Sequence, residues 1–186
     1  LLAILDPERL AEIVEGWVQA YREGGWFPKW TSPGYRACMI GTHRDAVVAD
    51  AVVRGVTDFD VKTAYEGMLK NANKVGDEDG NYGRRGIRAF AELGWVPHDE
   101  VDHAAARTQD FAYNDFCVAQ VAQYLGRQED YKTYRERAFY YKNTFNEETD
   151  FMQGRLRDGS WETPFDEFRW GGAYIEGSAW QCTWAV

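Results

Sequence analysis

No apolar run in this chain reaches the roughly 20 residues that a membrane-crossing helix needs. Cysteine is scarce. Cys38, Cys117 and Cys182 are far apart, odd in number and form no Cys-x-x-Cys pair, so they offer neither a disulfide framework nor a thiolate metal site. Basic residues are in deficit, 21 against 30 acidic ones, giving a formal net charge of −9. With no basic cluster and no Gly-x-x-x-x-Gly-Lys loop, the chain lacks an electrostatic footprint for nucleic acid and a phosphate cradle of the nucleotide-binding type. Also missing are an initiator Met and the basic start of a signal peptide. The chain opens on Leu1-Leu2-Ala3 and closes on Trp184-Ala185-Val186, inside an apolar pattern. The expectation is a piece of a longer protein, cut at both ends and missing parts of its own fold. On its own it should be inactive and marginally stable, with apolar faces open to water.

What the chain has in quantity is apolar and aromatic side chain, 45% and 16% of residues, enough for a folded domain with a sizeable core. Asp6-Pro7 opens an amphipathic helix that Gly24-Gly25 closes. Trp26 to Tyr35 mixes aromatics with turn formers and reads as a loop, in which Trp30 either stacks on a ligand or packs over a core edge. Between Met39 and Arg54 a run of Ala and Val fits a strand or a buried helix, and Asp45, Asp50 and the alanines favour a helix ending at Gly55. Polar residues on such a helix face a cavity or a partner, which makes His43, Arg44, Asp45 and Asp50 candidate site residues. The alternative is that His43 or Arg44 caps the helix while Asp50 pairs with a base.

Asp60 caps the next helix, Gly76 to Gly86 reads as a plain connector, and Ile87 to Leu93 is a short helix ended by Gly94. His98 and His103 are expected to be solvated, since their spacing is not that of a helical zinc pair. Thr108 is expected to cap a helix running to Leu125 that is apolar on most sides, where Asp115 must find a partner. Cys117 and Cys182 fit small core positions. Asp130 opens a further helix through Asn143, and 149–161 reads as a loop or hairpin. Helices apolar on one side alternate with helices apolar on most sides, as two concentric rings of helices require. The expected fold is all-α, with residues 1–186 forming part of a single (α/α)6 catalytic domain framed by long aromatic-rich loops.

The most informative stretch is Tyr174-Ile175-Glu176-Gly177-Ser178-Ala179-Trp180-Gln181-Cys182-Thr183-Trp184. It places one carboxylate among aromatics, surroundings that disfavour the charged form of an acid and suit it to donate a proton. Trp180 and Trp184 would share one face of a helix and offer a wall for a sugar. A second reading makes Glu176 a first-turn carboxylate that interacts with a helix dipole.

Together with Gly41-Thr42-His43-Arg44-Asp45-Ala46-Val47-Val48-Ala49-Asp50-Ala51, the segment Glu176-Gly177-Ser178-Ala179-Trp180-Gln181 resembles glycoside hydrolase family 92, the exo-acting α-mannosidases. The resemblance implies an (α/α)6 domain that hydrolyses terminal α-mannosides with inversion, assisted by Ca²⁺, outside the cytoplasm in an extracellular or periplasmic setting. It puts Glu176 on the general-acid position and Trp180 and Gln181 near substrate and metal; the metal ligands are left open, with Gln181 a candidate. Asp50 matches the family's acid in the early helix, and His43 and Trp30 join the expected substrate-binding set. Ser178 and Cys182 stand where the family has Asn and Tyr. The family's Trp-Asp motif falls before Leu1, and its Pro-His-Asp segment and base aspartates fall beyond Val186. Two other classes compete: a carbohydrate-binding or structural helical domain without turnover, and another toroidal sugar hydrolase.

Overall fold

The computed structural model describes residues 1–30 and 34–184. Thr31, Ser32 and Pro33 of the expected Trp26–Tyr35 loop, and Ala185 and Val186, lie outside the described residues. The described residues form eight α-helices: α1 Leu2–Leu5, α2 Pro7–Gly24, α3 Arg44–Val53, α4 Val61–Asn73, α5 Ile87–Leu93, α6 Ala104–Tyr124, α7 Gln128–Arg137 and α8 Ala179–Thr183. A 3-10 helix at Tyr140–Thr144 leads into a short antiparallel pair, β1 Phe145–Asn146 and β2 Phe151–Met152, with Phe145 opposite Met152. The described chain is therefore mostly helical.

Local chemistry sets the ends of the helices. The Asp6 carboxylate accepts from the Arg9 N–H at the start of α2, and Asp60 accepts from the Thr63 N–H at the start of α4. Gly25 and Gly94 take left-handed backbone at the C-termini of α2 and α5, where a side chain would be strained. Two expectations need correction. The long central helix begins at Ala104 rather than after Thr108; Thr108 sits one turn inside it, donating its hydroxyl to the Ala104 carbonyl and accepting from the Val96 N–H. α7 stops at Arg137 rather than Asn143, and Asp130 accepts from the Tyr65 hydroxyl within its first turn.

α6 is the hub. It is buried on nearly all sides and packs against α3, α4 and α7, as a helix without a polar face must. One core layer joins it to α2, α3 and α4 through Val14, Val18, Val48, Met68 and Val118. A second layer, beside the N-terminal half of α6, gathers Ile87, Phe90, Val96 and Phe111. The hairpin region is fastened from outside, where the Arg155 guanidinium lies 4.2 Å from the ring centre of Trp95 and 5.1 Å from that of Trp161.

Four charges are buried where α3, α6 and α7 meet. Arg84, from the segment expected to be a plain connector, is fully buried, with Nη2 3.1 Å from Asp45 Oδ2 and Nη1 2.6 Å from Asp115 Oδ1. Arg137 Nε lies 2.6 Å from Asp115 Oδ2, an ion contact at an angle that does not make a hydrogen bond. Buried carboxylates need such partners, so the two acids inside apolar helices are accounted for. Arg84 Nε also donates to the Thr42 hydroxyl (3.0 Å), which donates to Asp45 (2.7 Å).

Burial pushes the Asp45 carboxyl up to about 6, against the pull of Arg84 and the Thr42 hydrogen bond, and its Oδ1 has no hydrogen-bond partner. The folded value lies above the ordinary 3.8, so the folded state holds this proton more tightly. Asp45 therefore favours folding most below about pH 4, and that contribution is lost as the pH rises through about 6. In urea unfolding, wild type should gain on Asp45→Asn by up to about 1.4 kcal/mol per pH unit as the pH falls through this window. Parallel curves would show that Asp45 stays ionised there.

Candidate active site

The segment carrying Glu176 is docked on the N-terminus of α6. A helix start leaves backbone N–H groups without intrahelical partners, and α6 has no side-chain cap. The segment 171–177 supplies the missing acceptors. The His103 N–H donates to the Gly172 carbonyl (3.0 Å), and the N–H groups of Ala105 and Ala106 donate to the Ala173 carbonyl (3.0 and 3.2 Å). His103 Nδ1 lies 2.6 Å from the Tyr174 carbonyl; since a carbonyl only accepts, Nδ1 carries the proton. The Gly171 N–H closes the loop on the Gly177 carbonyl (2.9 Å), and the Tyr174 hydroxyl donates to the Met152 carbonyl (2.8 Å).

Within this turn Glu176 has φ 50, left-handed backbone that few residues other than glycine adopt and that costs about 1–3 kcal/mol. Such strain persists only where the surrounding contacts impose it, as they do here. The side chain is exposed, so the described tryptophans do not enclose it. Neither is it a first-turn carboxylate, because α8 starts three residues later with Ser178 as its N-cap. Gln181 reaches back to accept from the Ser178 N–H (2.8 Å) and hydroxyl (2.7 Å), so its amide oxygen is engaged as a helix cap. The Trp180 ring meets Phe151 edge-on (5.0 Å) and stacks with Phe168 (6.3 Å), while Trp180, Phe168 and Trp170 are all exposed. Cys182 is half-buried and clamped to Gln109: its Sγ donates to Gln109 Oε1, and its carbonyl accepts from Gln109 Nε2 (2.8 Å).

Two cavities flank the carboxylate's segment. The larger, about 560 Å³, lies between α6, the residues after α7 and the 174–182 stretch; Asp110, Tyr113, Tyr141, Ile175, Gly177 and Gln181 are among its walls. The smaller, about 200 Å³, is polar and includes Lys29, Arg85, Asp102, His103, Arg107 and Ile175. Glu176 is thus carried between two residues of the first cavity wall, one of which also lines the second.

The expected site residues divide. His43 precedes α3 without capping it; its Nε2 lies 3.3 Å from Asp110 Oδ2, and that hydrogen bond raises the imidazole above its ordinary value against the opposing effect of burial. A Cβ on Gly41 would fall 2.6 Å from His43 Nε2 and 2.9 Å from Asp110 Oδ2, so the pair needs glycine there. Through Asp110, His43 reaches the wall of the larger cavity. Asp50 is exposed and pairs with Arg54 (2.7 Å). Trp30 is 42% exposed beside the buried Lys29. The two loop histidines are not solvated as expected: besides His103, His98 is mostly buried with Nε2 3.3 Å from Glu162. Asp110, Lys29 and Arg107 were not singled out in the sequence, since nothing in their spacing distinguishes them from ordinary helix or loop charges.

The model of the glycosyl hydrolase family 92 catalytic domain matches residues 1–186. The solved structure of the family 92 inverting mannosidase BT2199 from Bacteroides thetaiotaomicron VPI-5482 superposes with a TM-score of 0.93 at 36% identity, over 96% of this chain and 24% of that one. The family 92 α-mannosidase BT3965 from Bacteroides thetaiotaomicron, in complex with mannoimidazole, gives a TM-score of 0.86 at 32% identity over the same shares. A protein of Arthroderma benhamiae described as an uncharacterized secreted glycosidase is 27% identical over 149 residues, 74% of this chain and 19% of that one. The chain thus spans about a quarter or less of the length of these relatives.

Proposed function

The chain belongs to glycosyl hydrolase family 92, and from that membership we propose that it is part of the (α/α)6 catalytic domain of an α-mannosidase in which Glu176 is the general acid. The observation that carries the reading is the way Glu176 is held: an exposed carboxylate on a strained turn, fixed by main-chain bonds to α6, between residues that wall the larger cavity. Inverting hydrolysis pairs an acid with a base about 6.5–9.5 Å away, leaving room for the attacking water. The proposed base lies in the greater part of the fold that the relatives have and this chain does not span. The proposed substrates are α-mannoside glycans, met outside the cytoplasm, in keeping with the secreted relative. No helix among the described residues is long and apolar enough to cross a membrane.

Calcium enters the proposal only with ligands from elsewhere. Ca²⁺ takes six to eight oxygen ligands. Among the described residues no three of His, Cys, Asp and Glu are grouped to hold a metal, and the Gln181 oxygen is engaged as a cap. These residues do not fit a calcium site by themselves.

The test is made on the full-length protein with an aryl α-mannoside and an α-mannobiose. Proton NMR in the first minutes should show β-mannose appearing before mutarotation. α-Mannose as the first product would rule out inversion. Saturable mannose binding without turnover of either substrate would favour the carbohydrate-binding reading, for which the exposed Phe168, Trp170 and Trp180 provide a surface.

A further inference from the structure

The smaller cavity holds a charge that no described protein group neutralises. Lys29 is only 7% exposed, and among the described residues its ammonium has neither an ion pair nor a hydrogen-bond acceptor; its nitrogen is not sealed in the core but opens on the cavity that the residue lines. An uncompensated buried charge is expensive. Burial and then the Arg107 charge bring the amine down to about 8, with Asp77 and Cys38 acting the other way. Asp77 is itself engaged, accepting from the Asn81 side chain (2.6 Å) and the Tyr82 N–H (3.3 Å).

The other cations of the cavity share one carboxylate. Arg107 is 6% exposed, and its Nε donates to the Asp102 carbonyl (2.7 Å) and its Nη2 to Asp102 Oδ1 (3.1 Å). Arg85 Nη1 donates to that same Oδ1 (3.2 Å). Asp79 is on the wall but exposed. In a chain of net charge −9, this wall sets Lys29, Arg85 and Arg107 against Asp79 and Asp102. A neutral sugar hydroxyl would leave the buried ammonium uncompensated, whereas an anion would neutralise it and accept its hydrogen bonds.

We infer that the cavity lined by Lys29, Arg85 and Arg107 is a binding site for a small oxyanion of phosphate size, free or carried on a sugar. About 200 Å³ is ample for such a group. Ile175, on the same wall, sets the site beside the turn that bears Glu176. The inference does not rest on the glycosidase reading, because binding is measured without turnover.

The experiment titrates the full-length protein and Lys29→Met with inorganic phosphate by calorimetry, in phosphate-free buffer near pH 7. Wild type should bind with a dissociation constant of about 1 mM or tighter, and Lys29→Met at least about tenfold more weakly. Methionine keeps the unbranched apolar stem, one atom shorter, and removes the charge, so the variant should fold; near-UV circular dichroism checks this. A second arm uses a hexose phosphate beside the unphosphorylated hexose. Tighter binding than inorganic phosphate assigns the anion to a sugar, and equal binding assigns it to free phosphate; either supports the site. No heat from wild type up to about 10 mM phosphate overturns the inference even if the variant misfolds. Equal affinity in wild type and folded Lys29→Met also overturns it.

Discussion

Glu176→Gln in the full-length protein is expected to slow cleavage of an α-mannobiose by about 10²–10⁴-fold, the usual contribution of a positioned proton donor. A sugar leaving group departs as a poor alkoxide unless it is protonated, and the amide cannot supply that proton. An aryl mannoside with an acidic phenol leaves without help, so its kcat/KM should fall far less. The substitution is well controlled by the structure. Glutamine matches glutamate in size, the side chain is exposed, and the backbone strain at φ 50 is common to both. Equal losses on the two substrates would point to positioning rather than proton donation. Substantial turnover of the mannobiose would remove Glu176 from the acid role.

Asp115→Ala should cost about 3–5 kcal/mol of stability, because it leaves two buried guanidiniums short of an anion at once. Arg84 would keep Asp45, but Arg137 would keep only the Asn73 side chain, the Ala72 carbonyl and the faces of Phe90 and Tyr134. Urea unfolding at constant m-value measures the loss. Lys132→Ala is the control: its pairing with Glu129 is between exposed groups and should matter by less than about 1 kcal/mol. If Asp115→Ala costs no more than that control, the charges do not depend on one another as the geometry implies. The network also bears on the site, since Arg84 holds Thr42, whose neighbour His43 meets Asp110 at the wall of the larger cavity.

Helix existence and most helix ends were legible in the sequence, because caps and glycines act locally. Asp6, Asp60, Gly25 and Gly94 each do what their residue type dictates, whatever surrounds them. Thr108 was misread for the opposite reason: the start of α6 is satisfied by carbonyls from 172–173, and no local pattern records a cap that arrives from so far along the chain. The demand of Asp115 for a partner could be read from its apolar helix, but not the identity of the partner, since Arg84 lies in a glycine-rich stretch with no periodicity. At the candidate site the motif pointed to Glu176 and Gln181 without revealing that Gln181 serves as a cap. Lys29 escaped notice because burial of a single loop lysine leaves no trace in composition or spacing.

The turn that bears Glu176 is held chiefly by peptide groups: the carbonyls of Gly172, Ala173 and Tyr174 toward α6, and the Gly171–Gly177 closure. Ala173 and Tyr174 are buried, and the Tyr174 hydroxyl adds an anchor, but the half-buried Ile175 side chain takes no part in these bonds. Ile175, on the walls of both cavities, can therefore be exchanged to reshape the recesses while the carboxylate stays in place. The scaffold in this way separates the position of the Glu176 carboxylate from the contour of the walls beside it, so that one can diversify without disturbing the other.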